Sequence, residues 1–590
     1  MSPSTKERIP EYLWAYVVEQ NYDKYTPREQ ATWRFIMRQS KEYFSRHAHS
    51  VYLDGLEQTG IPLERIPDID EMDEKLSRYG WGAVCVRGFI PSMAFLDFLA
   101  RKILPIASDM RTLEHVHYTP APDIVHEAAG HAPIIADAKY REYLIKYANM
   151  ARKAIYSDED VRLYEAVRLL SDLKENPDAT QKEIDSAEVG LKNASEAITW
   201  VSESSKITRM SWWTIEYGLL AESTDWNKDS LKIYGAGLLS SVGEAVSVYD
   251  ESTKKLPLTL DCVHQAFDIT EPQPQVYVAS SIDQMISVLG ELEDEMAYKK
   301  GGLEGLALAK KAKTVTTLVC DNGLGVSGIV ERYDWDRENE CPAFVKWSEK
   351  CQLSLEGVEL EGQGVKRHPH GFSSPMGPWK NCDKPELIKE DELEKLGIIK
   401  GNSCEISFQS GIIVTGKIED IFFADGTLKL ITWKEAHVTW KDEVLFQPEW
   451  GDFDMLVGAV VSSVYGGPAD WNKFGDYDIG RASTLPGRQS PFSEDELELF
   501  RMYDWISSAR SGKPLMDPVS EISNFVAKAR TKFPNEWLLY LEAVELLSSK
   551  YSGLEGAEDL QNTLSRECLD LDRFDGDTRE MVRRGLELCH

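Results

Sequence analysis

Pro122-Asp123-Ile124-Val125-His126-Glu127-Ala128-Ala129-Gly130-His131-Ala132-Pro133 sets two histidines and a carboxylate in a mostly apolar frame. The pattern is close to the zinc-protease H-E-x-x-H, but its second histidine comes one residue late. On a regular helix, positions i and i+4 share a face, whereas i and i+5 lie roughly 140° apart at 3.6 residues per turn. His126 and His131 therefore reach one metal only if the helix bulges or ends between them. Gly130 tolerates such a distortion, and Pro133 removes a helix donor and disfavours the α region at Ala132. Taken alone, the stretch also reads as a helix with two surface histidines.

A metal needs a further ligand. Two histidines and one carboxylate leave open positions on Fe(II) for oxygen and substrate. A third ligand is available in Trp212-Trp213-Thr214-Ile215-Glu216-Tyr217-Gly218-Leu219. Glu216 sits there among aromatic and apolar neighbours, where a carboxylate is seldom buried unless it is paired or bound to metal.

At 590 residues the chain exceeds one core, and roughly two to four domains are expected. A net charge of -32 argues against nucleic acid and anionic membrane as partners. Nine cysteines without a C-x-x-C exclude a zinc ribbon and fit a reducing compartment. Met1 to Pro10 has no apolar signal region, and no apolar run is long enough to span a bilayer, so a cytoplasmic protein is expected.

Residues 1–305 read as a mainly α domain, with an inserted helical hairpin at about 157–205 where Leu163, Val167, Leu170 and Leu173 recur at helical spacing. Residues 312–450 read as β-rich and duplicated. Gly323, Val326, Ser327, Gly328, Val330 and Glu331 are echoed by Gly411, Val414, Thr415, Gly416, Ile418 and Glu419. Two small β units, as tandem barrels, fit this. The G-x-G-x-x-G at Gly323–Gly328 is discounted as a dinucleotide site, because β-rich Ile329-Val330-Glu331 follows where a helix is needed. Residues 451–492 read as a linker or loop. Helices at 493–590, opened by a capping box at Ser493 and Glu496, read as a helical module with a protein partner as one expectation. His368-Pro369-His370 with Cys382 suggests a second metal site only weakly, since no standard spacing fits.

The first half closely resembles the pterin-dependent aromatic amino acid hydroxylases. Four segments carry the resemblance in order: Gly88-Phe89-Ile90-Pro91-Ser92-Met93-Ala94-Phe95-Leu96, Tyr118-Thr119-Pro120-Ala121-Pro122-Asp123 running into His126 and His131, Trp212 to Leu219, and Tyr234-Gly235-Ala236-Gly237-Leu238-Leu239-Ser240-Ser241-Val242-Gly243-Glu244. The resemblance implies that His126, His131 and Glu216 bind Fe(II) beside a tetrahydropterin (tetrahydrobiopterin or a relative). It implies that Phe95 stacks on the pterin, that Gly88, Ile90, Ser92 and Leu96 shape its pocket, and that Glu127 faces it through water. Arg111, oriented by Asp123, would clamp the substrate carboxylate. Tyr118, Thr119, Trp212, Gly237, Ser240 and Glu244 would line the amino-acid pocket, with Glu127, Ser240 and Glu244 assisting catalysis. His115 and His117 receive no role beyond packing.

Phenylalanine 4-monooxygenation is the first expectation. Ile269 stands before Thr270-Glu271 where tyrosine-hydroxylating members tend to carry Asp, and an apolar group suits a phenyl ring. Trp212 fits phenylalanine better than an indole. The alternatives are tyrosine or tryptophan hydroxylation, or an idle scaffold whose C-terminal half binds a partner. Departures from the family are Ala128-Ala129 where many members have two Leu, Ser211 where Tyr is common, and Tyr217 where Phe is common.

Overall fold

The computed structural model describes residues 1–88, 90–116, 123–176, 178–268, 272–475 and 491–589. Residues up to 312 form helices interrupted by two small sheets. Helix α1 (Pro27–His47) starts from a complete capping box between Thr26 and Glu29, with proline at its first position, and buries Trp33, Phe35, Met37 and Phe44. Strands β1 (Gly82–Val86) and β2 (Ile103–Ala107) pair in parallel and are buried at every residue. A parallel pair needs a crossover, and helix α2 (Ser92–Ala100) is in that connection.

Where the sequence suggests an inserted hairpin, α3 (Asp158–Glu175) and α4 (Gln181–Glu196) open on capping boxes at Ser157 and Thr180. Lys174 and Glu188 join them at 3.0 Å. Four strands follow, β3 (Leu219–Ala221), β4 (Leu231–Ile233), β5 (Lys254–Pro257) and β6 (Gln275–Ala279), in the order β4-β3-β6-β5. None of the described helices is long and apolar enough to cross a membrane.

The duplication legible in the sequence extends to strand register. The first unit comprises β7 (Val315–Cys320), β8 (Leu324–Asp336), β9 (Cys341–Leu355), β10 (Val358–Glu359) and β11 (Phe372–Pro375). The second comprises β12 (Ser403–Ser407), β13 (Ile412–Ala424), β14 (Thr427–Trp440), β15 (Glu443–Phe446) and β16 (Phe453–Leu456). In the hairpin β8–β9 the register skips Gly328 and Glu331; in β13–β14 it skips Gly416 and Glu419. Between those bulges Val330 faces Trp347 and Ile418 faces Trp433, and both tryptophans are fully buried. Phe372 of β11 then pairs Trp347 as Phe453 of β16 pairs Trp433. Lys346–Glu331 at 2.9 Å is matched by Lys434–Glu419 at 3.0 Å. The units pack around two apolar clusters that exchange residues, Leu430 and Leu456 of the second unit lying in the first cluster and Ala343 and Phe344 of the first unit in the second, and the ladders are open paths.

The expectation of a linker or loop at 451–492 is corrected for residues 451–475, while 476–490 lie outside the described residues. Residues 451–475 hold β16, which pairs β14, and β17 (Val461–Gly466), which returns to pair β7, followed by a short helix at Trp471–Phe474. Strands of four and six residues are too short to show a period in sequence.

The closing helices are α5 (Glu494–Arg510), α6 (Pro518–Lys532), α7 (Trp537–Lys550), α8 (Ala557–Glu567) and α9 (Gly576–Glu587). Tyr503, Leu538, Leu541 and Val582 belong to the same buried cluster as Trp33, Phe35 and Met37 of α1. Arg34 and Glu542 form a two-pronged ion pair inside that contact (2.8 and 3.0 Å; side chains 5% and 3% exposed). Arg28–Glu536 at 2.7 Å and Arg38–Glu545 at 2.6 Å flank it. The helices read as a module at 493–590 thus bury themselves against the first half of the chain.

Candidate functional site

The helical irregularity that the histidine spacing demands is present. Val125–His131 is a π-helix, its hydrogen bonds running from i to i+5, which brings positions 126 and 131 onto one face. Pro133 ends it in a 3-10 turn. Gly130 lets the segment lie against the Ala236 turn, because an added Cβ would come within 2.6 Å of the Ala236 carbonyl oxygen. A second π-helix, Trp212–Glu216, delivers the carboxylate.

The three groups converge. His126 Nε2 and His131 Nε2 are 3.3 Å apart, and Glu216 lies 3.3 Å from the first and 3.4 Å from the second. Among the described residues this is the one group of three or more such side chains whose ligand atoms all lie within 4.8 Å of one another. Glu216 Oε2 is buried and accepts no hydrogen bond, and the same holds for Glu127 Oε2. Two imidazoles and an unmet carboxylate, all able to offer lone pairs, fit a divalent cation of the iron class. Burial, aided by Arg111, pushes His126 down to about 3, which keeps the imidazole neutral and ready to ligate. Burial raises Glu216 to about 8, against a lowering backbone hydrogen bond from Gly237. Glu127 is held well above the carboxylate range by burial and by the neighbouring charges of Glu216 and Asp123.

Second contacts orient these ligands. Ser240 Oγ donates to the Gly237 carbonyl at 3.0 Å and lies 3.2 Å from His126 Nδ1. A hydroxyl whose proton is committed accepts from Nδ1–H, which leaves Nε2 for a metal. Arg111 Nε and Nη2 grip the two oxygens of Asp123 at 2.7 and 2.8 Å, and Nη1 donates to the Ser240 carbonyl at 3.1 Å. Asp123 also accepts from the His126 backbone N–H at 3.0 Å, tying arginine and ligand helix together.

The residues expected around a pterin lie on β1–α2. Gly88 is in the left-handed region (φ 56°) and its N–H donates to Asp109 at 3.0 Å. Ile90 and Leu96 are buried, whereas Ser92 is exposed at the start of α2. Phe95 is half-buried with its ring centroid 6.4 Å from that of His131. On the other side, Trp212 stacks on Phe267 (4.2 Å, 9°) and donates to Gln273 at 3.2 Å. The Tyr217 ring lies 4.7 Å from Trp212, and its hydroxyl donates to Glu244 at 3.0 Å. Gly237 is bare because a Cβ would sit 3.0 Å from that ring. Burial lifts Glu244 to about 7, opposed by Tyr217 and Arg111. Tyr118, Thr119, His117 and Ile269 lie outside the described residues, and His115 ends a short turn at Leu113–His115.

Three structural supports were not apparent from the sequence: Phe267 beneath Trp212, Gln273 on its indole, and Asp109 beneath Gly88. None stands in a motif, and only an aromatic among polar neighbours hinted at Phe267. His368 has no metal company among the described residues; its Nε2 meets Gln363 Oε1 at 2.8 Å.

The family described as biopterin-dependent aromatic amino acid hydroxylase matches residues 11–162 and 180–299. The chain is 28% identical to phenylalanine-4-hydroxylase of Mesorhizobium japonicum over 273 residues, covering 46% of this chain and 81% of that protein. It is 28% identical to phenylalanine-4-hydroxylase of Pseudomonas aeruginosa over 282 residues, covering 47% and 88%. Among solved structures, Chromobacterium violaceum phenylalanine hydroxylase with iron(III) and oxidized 7,8-dihydrobiopterin is similar at 21% identity and a TM-score of 0.37, covering 50% of this chain and 92% of that one. The first half of the chain thus belongs to the biopterin-dependent aromatic amino acid hydroxylase family.

Proposed function

We propose that the chain is a phenylalanine 4-monooxygenase, converting L-phenylalanine to L-tyrosine with O2 and a tetrahydropterin at an iron held by His126, His131 and Glu216. The observation that carries this reading is the convergence of those three side chains, with Glu216 Oε2 buried and unmet, inside the family-matched half. Bound Fe(II) and tetrahydropterin supply the oxygen activation and the electrons. The protein's own residues do the rest.

Ser240 holds His126 with Nε2 toward the metal, and Asp123 locks Arg111 so that its remaining guanidinium donors present a planar fork to the substrate carboxylate. Glu244, ionised with the help of the Tyr217 hydroxyl, is placed to take the substrate ammonium. Trp212, pinned by Phe267 and Gln273, gives the ring a flat wall, while Phe95 gives the pterin a platform. Glu127, buried with its carboxyl held well above the usual range, offers the pterin side a hydrogen bond through water. Holding both reactants rigidly beside the metal lowers the barrier mainly by removing the entropy of encounter.

Two features support phenylalanine over the larger or more polar rings. Ile269 offers nothing to a phenol, and the Tyr217 hydroxyl is committed to Glu244 rather than to a substrate hydroxyl. We also read the two bulged β units, a six-stranded sheet once β17 joins the first and a five-stranded sheet in the second, as small barrels, because each curls over an apolar cluster that includes its buried tryptophan, Trp347 or Trp433. Turnover of phenylalanine, tyrosine and tryptophan, measured side by side, tests the assignment. Phenylalanine should lead in kcat/KM by at least about tenfold, a margin worth roughly 1.4 kcal/mol; a lead for either other amino acid would overturn it.

A further inference from the structure

The turn Ser240–Gly243 is the hub of the proposed pocket. Its Ser240 serves both Arg111 and His126, and Glu244 follows directly. Residues outside the family-matched part reach this turn. A cavity of about 20 Å3 lies between Ser240, Val242 and Gly243 of the turn, Gln39 of α1, and Met581 and Arg584 of α9. Two of its lining side chains carry buried donors with no hydrogen-bond partner, Gln39 Nε2 and Arg584 Nη1. Gln39 is only 8% exposed, and Arg584 spends Nε on Glu580 at 2.8 Å. Two donors around a space of this size fit one water as their shared acceptor.

Helix α9 is seated closely. An added Cβ at Gly585 would come 2.3 Å from Leu541 Cδ2 of α7 and 3.2 Å from Phe35 Cε2 of α1. α9 thus rests on α7 and α1 at a glycine, with Met581 and Arg584, at helical spacing on the same element, facing the cavity.

We propose that α9 is a positioning element of the amino-acid pocket: Met581, Arg584 and a water shared with Gln39 hold the Ser240–Gly243 turn, and through it Arg111, in the geometry that binds substrate. The C-terminal helices then have an internal partner, the hydroxylase half itself. This rests on the proposed function for the identity of the substrate, and on the structure alone for the contact.

The test uses the full chain loaded with Fe(II), as wild type, Arg584→Met, Arg584→Lys, Met581→Ala and Gly585→Val. Phenylalanine binding is measured by calorimetry without pterin, alongside KM for each substrate, kcat and iron per chain. Arg584→Met and Gly585→Val should weaken phenylalanine binding and raise its KM by about tenfold or more, within the roughly 100-fold that a 1 Å misplacement can cost. Pterin KM and bound iron should hold, and Arg584→Lys should recover part of the loss. Unchanged phenylalanine affinity in folded Arg584→Met overturns the proposal, as does an equal loss of iron, pterin and phenylalanine affinity. If Gly585→Val fails to fold, Arg584→Met and Met581→Ala still decide. Wild-type enzyme that binds no phenylalanine would instead overturn the proposed function, a distinct result.

Discussion

The two π-helical segments and the two bulged hairpins break regular structure in opposite ways. In Val125–His131 and Trp212–Glu216 the widened turns gather His126, His131 and Glu216 and leave a buried carboxylate oxygen without a hydrogen bond. In β8–β9 and β13–β14 the skipped residues Gly328, Glu331, Gly416 and Glu419 accompany packing: midway along its strand, Trp347 packs against Phe372 and Trp433 pairs Phe453. An unmet buried polar atom does not by itself separate the two, since Trp347 Nε1 and Trp433 Nε1 in the hairpins are also buried without a partner; the convergence of three metal-ligating groups is what points to a ligand. An irregularity repeated at equivalent positions in two units points to a building block.

That contrast breaks first at Glu216. Glu216→Ala should abolish stoichiometric iron binding and lower tyrosine formation by more than about 100-fold, exceeding the loss usual for a residue that only supports a ligand; metal analysis after reconstitution checks it. In the hairpins, Trp433→Ala and Trp347→Ala should each destabilise by about 3–5 kcal/mol in denaturant unfolding, the cost of emptying a large buried site. Phenylalanine KM should stay unchanged in the fraction that folds. Glu542→Ala, which strands Arg34 inside the contact between α7 and α1, should cost a similar 3–5 kcal/mol or so, and calorimetry should then report one transition for both regions, not two.

Smaller effects sharpen the picture of the site. Ser240→Ala removes the acceptor that sets the His126 tautomer and should weaken iron affinity by about 10-fold. The pH dependence follows from Glu244. Its carboxyl titrates at about 7, raised by burial, and it must be ionised to hold an ammonium, so kcat/KM for phenylalanine should rise with pH through about 7. The Tyr217 hydrogen bond lowers that value. Tyr217→Phe should therefore shift the acid limb to higher pH and cut kcat/KM at pH 7 by about tenfold or more, the loss of one hydrogen bond to a charged group. An unmoved limb would sever Tyr217 from substrate binding.

Much of this was legible in the sequence for a physical reason. A five-residue histidine spacing is incompatible with a regular helix, so the distortion at Gly130 follows from counting residues. The echo of Gly328-x-Val330-Glu331 in Gly416-x-Ile418-Glu419 likewise marks matching bulges. Packing partners were not legible. The apolar positions of α5, α7 and α9 announce that a face is buried without saying that it covers α1. Short strands such as Phe453–Leu456 carry too few residues to declare a period, and Phe267 and Gln273 act through side-chain contacts that no local motif records.

The most direct measurement is anaerobic reconstitution of the full chain with Fe(II), followed by tetrahydropterin, oxygen and phenylalanine, with tyrosine formed and pterin oxidised read together. A site built from His126, His131 and Glu216 beside Phe95 and Arg111 predicts that the two products appear in step and that both are lost in Glu216→Ala. Iron bound in full with neither product formed would contradict it.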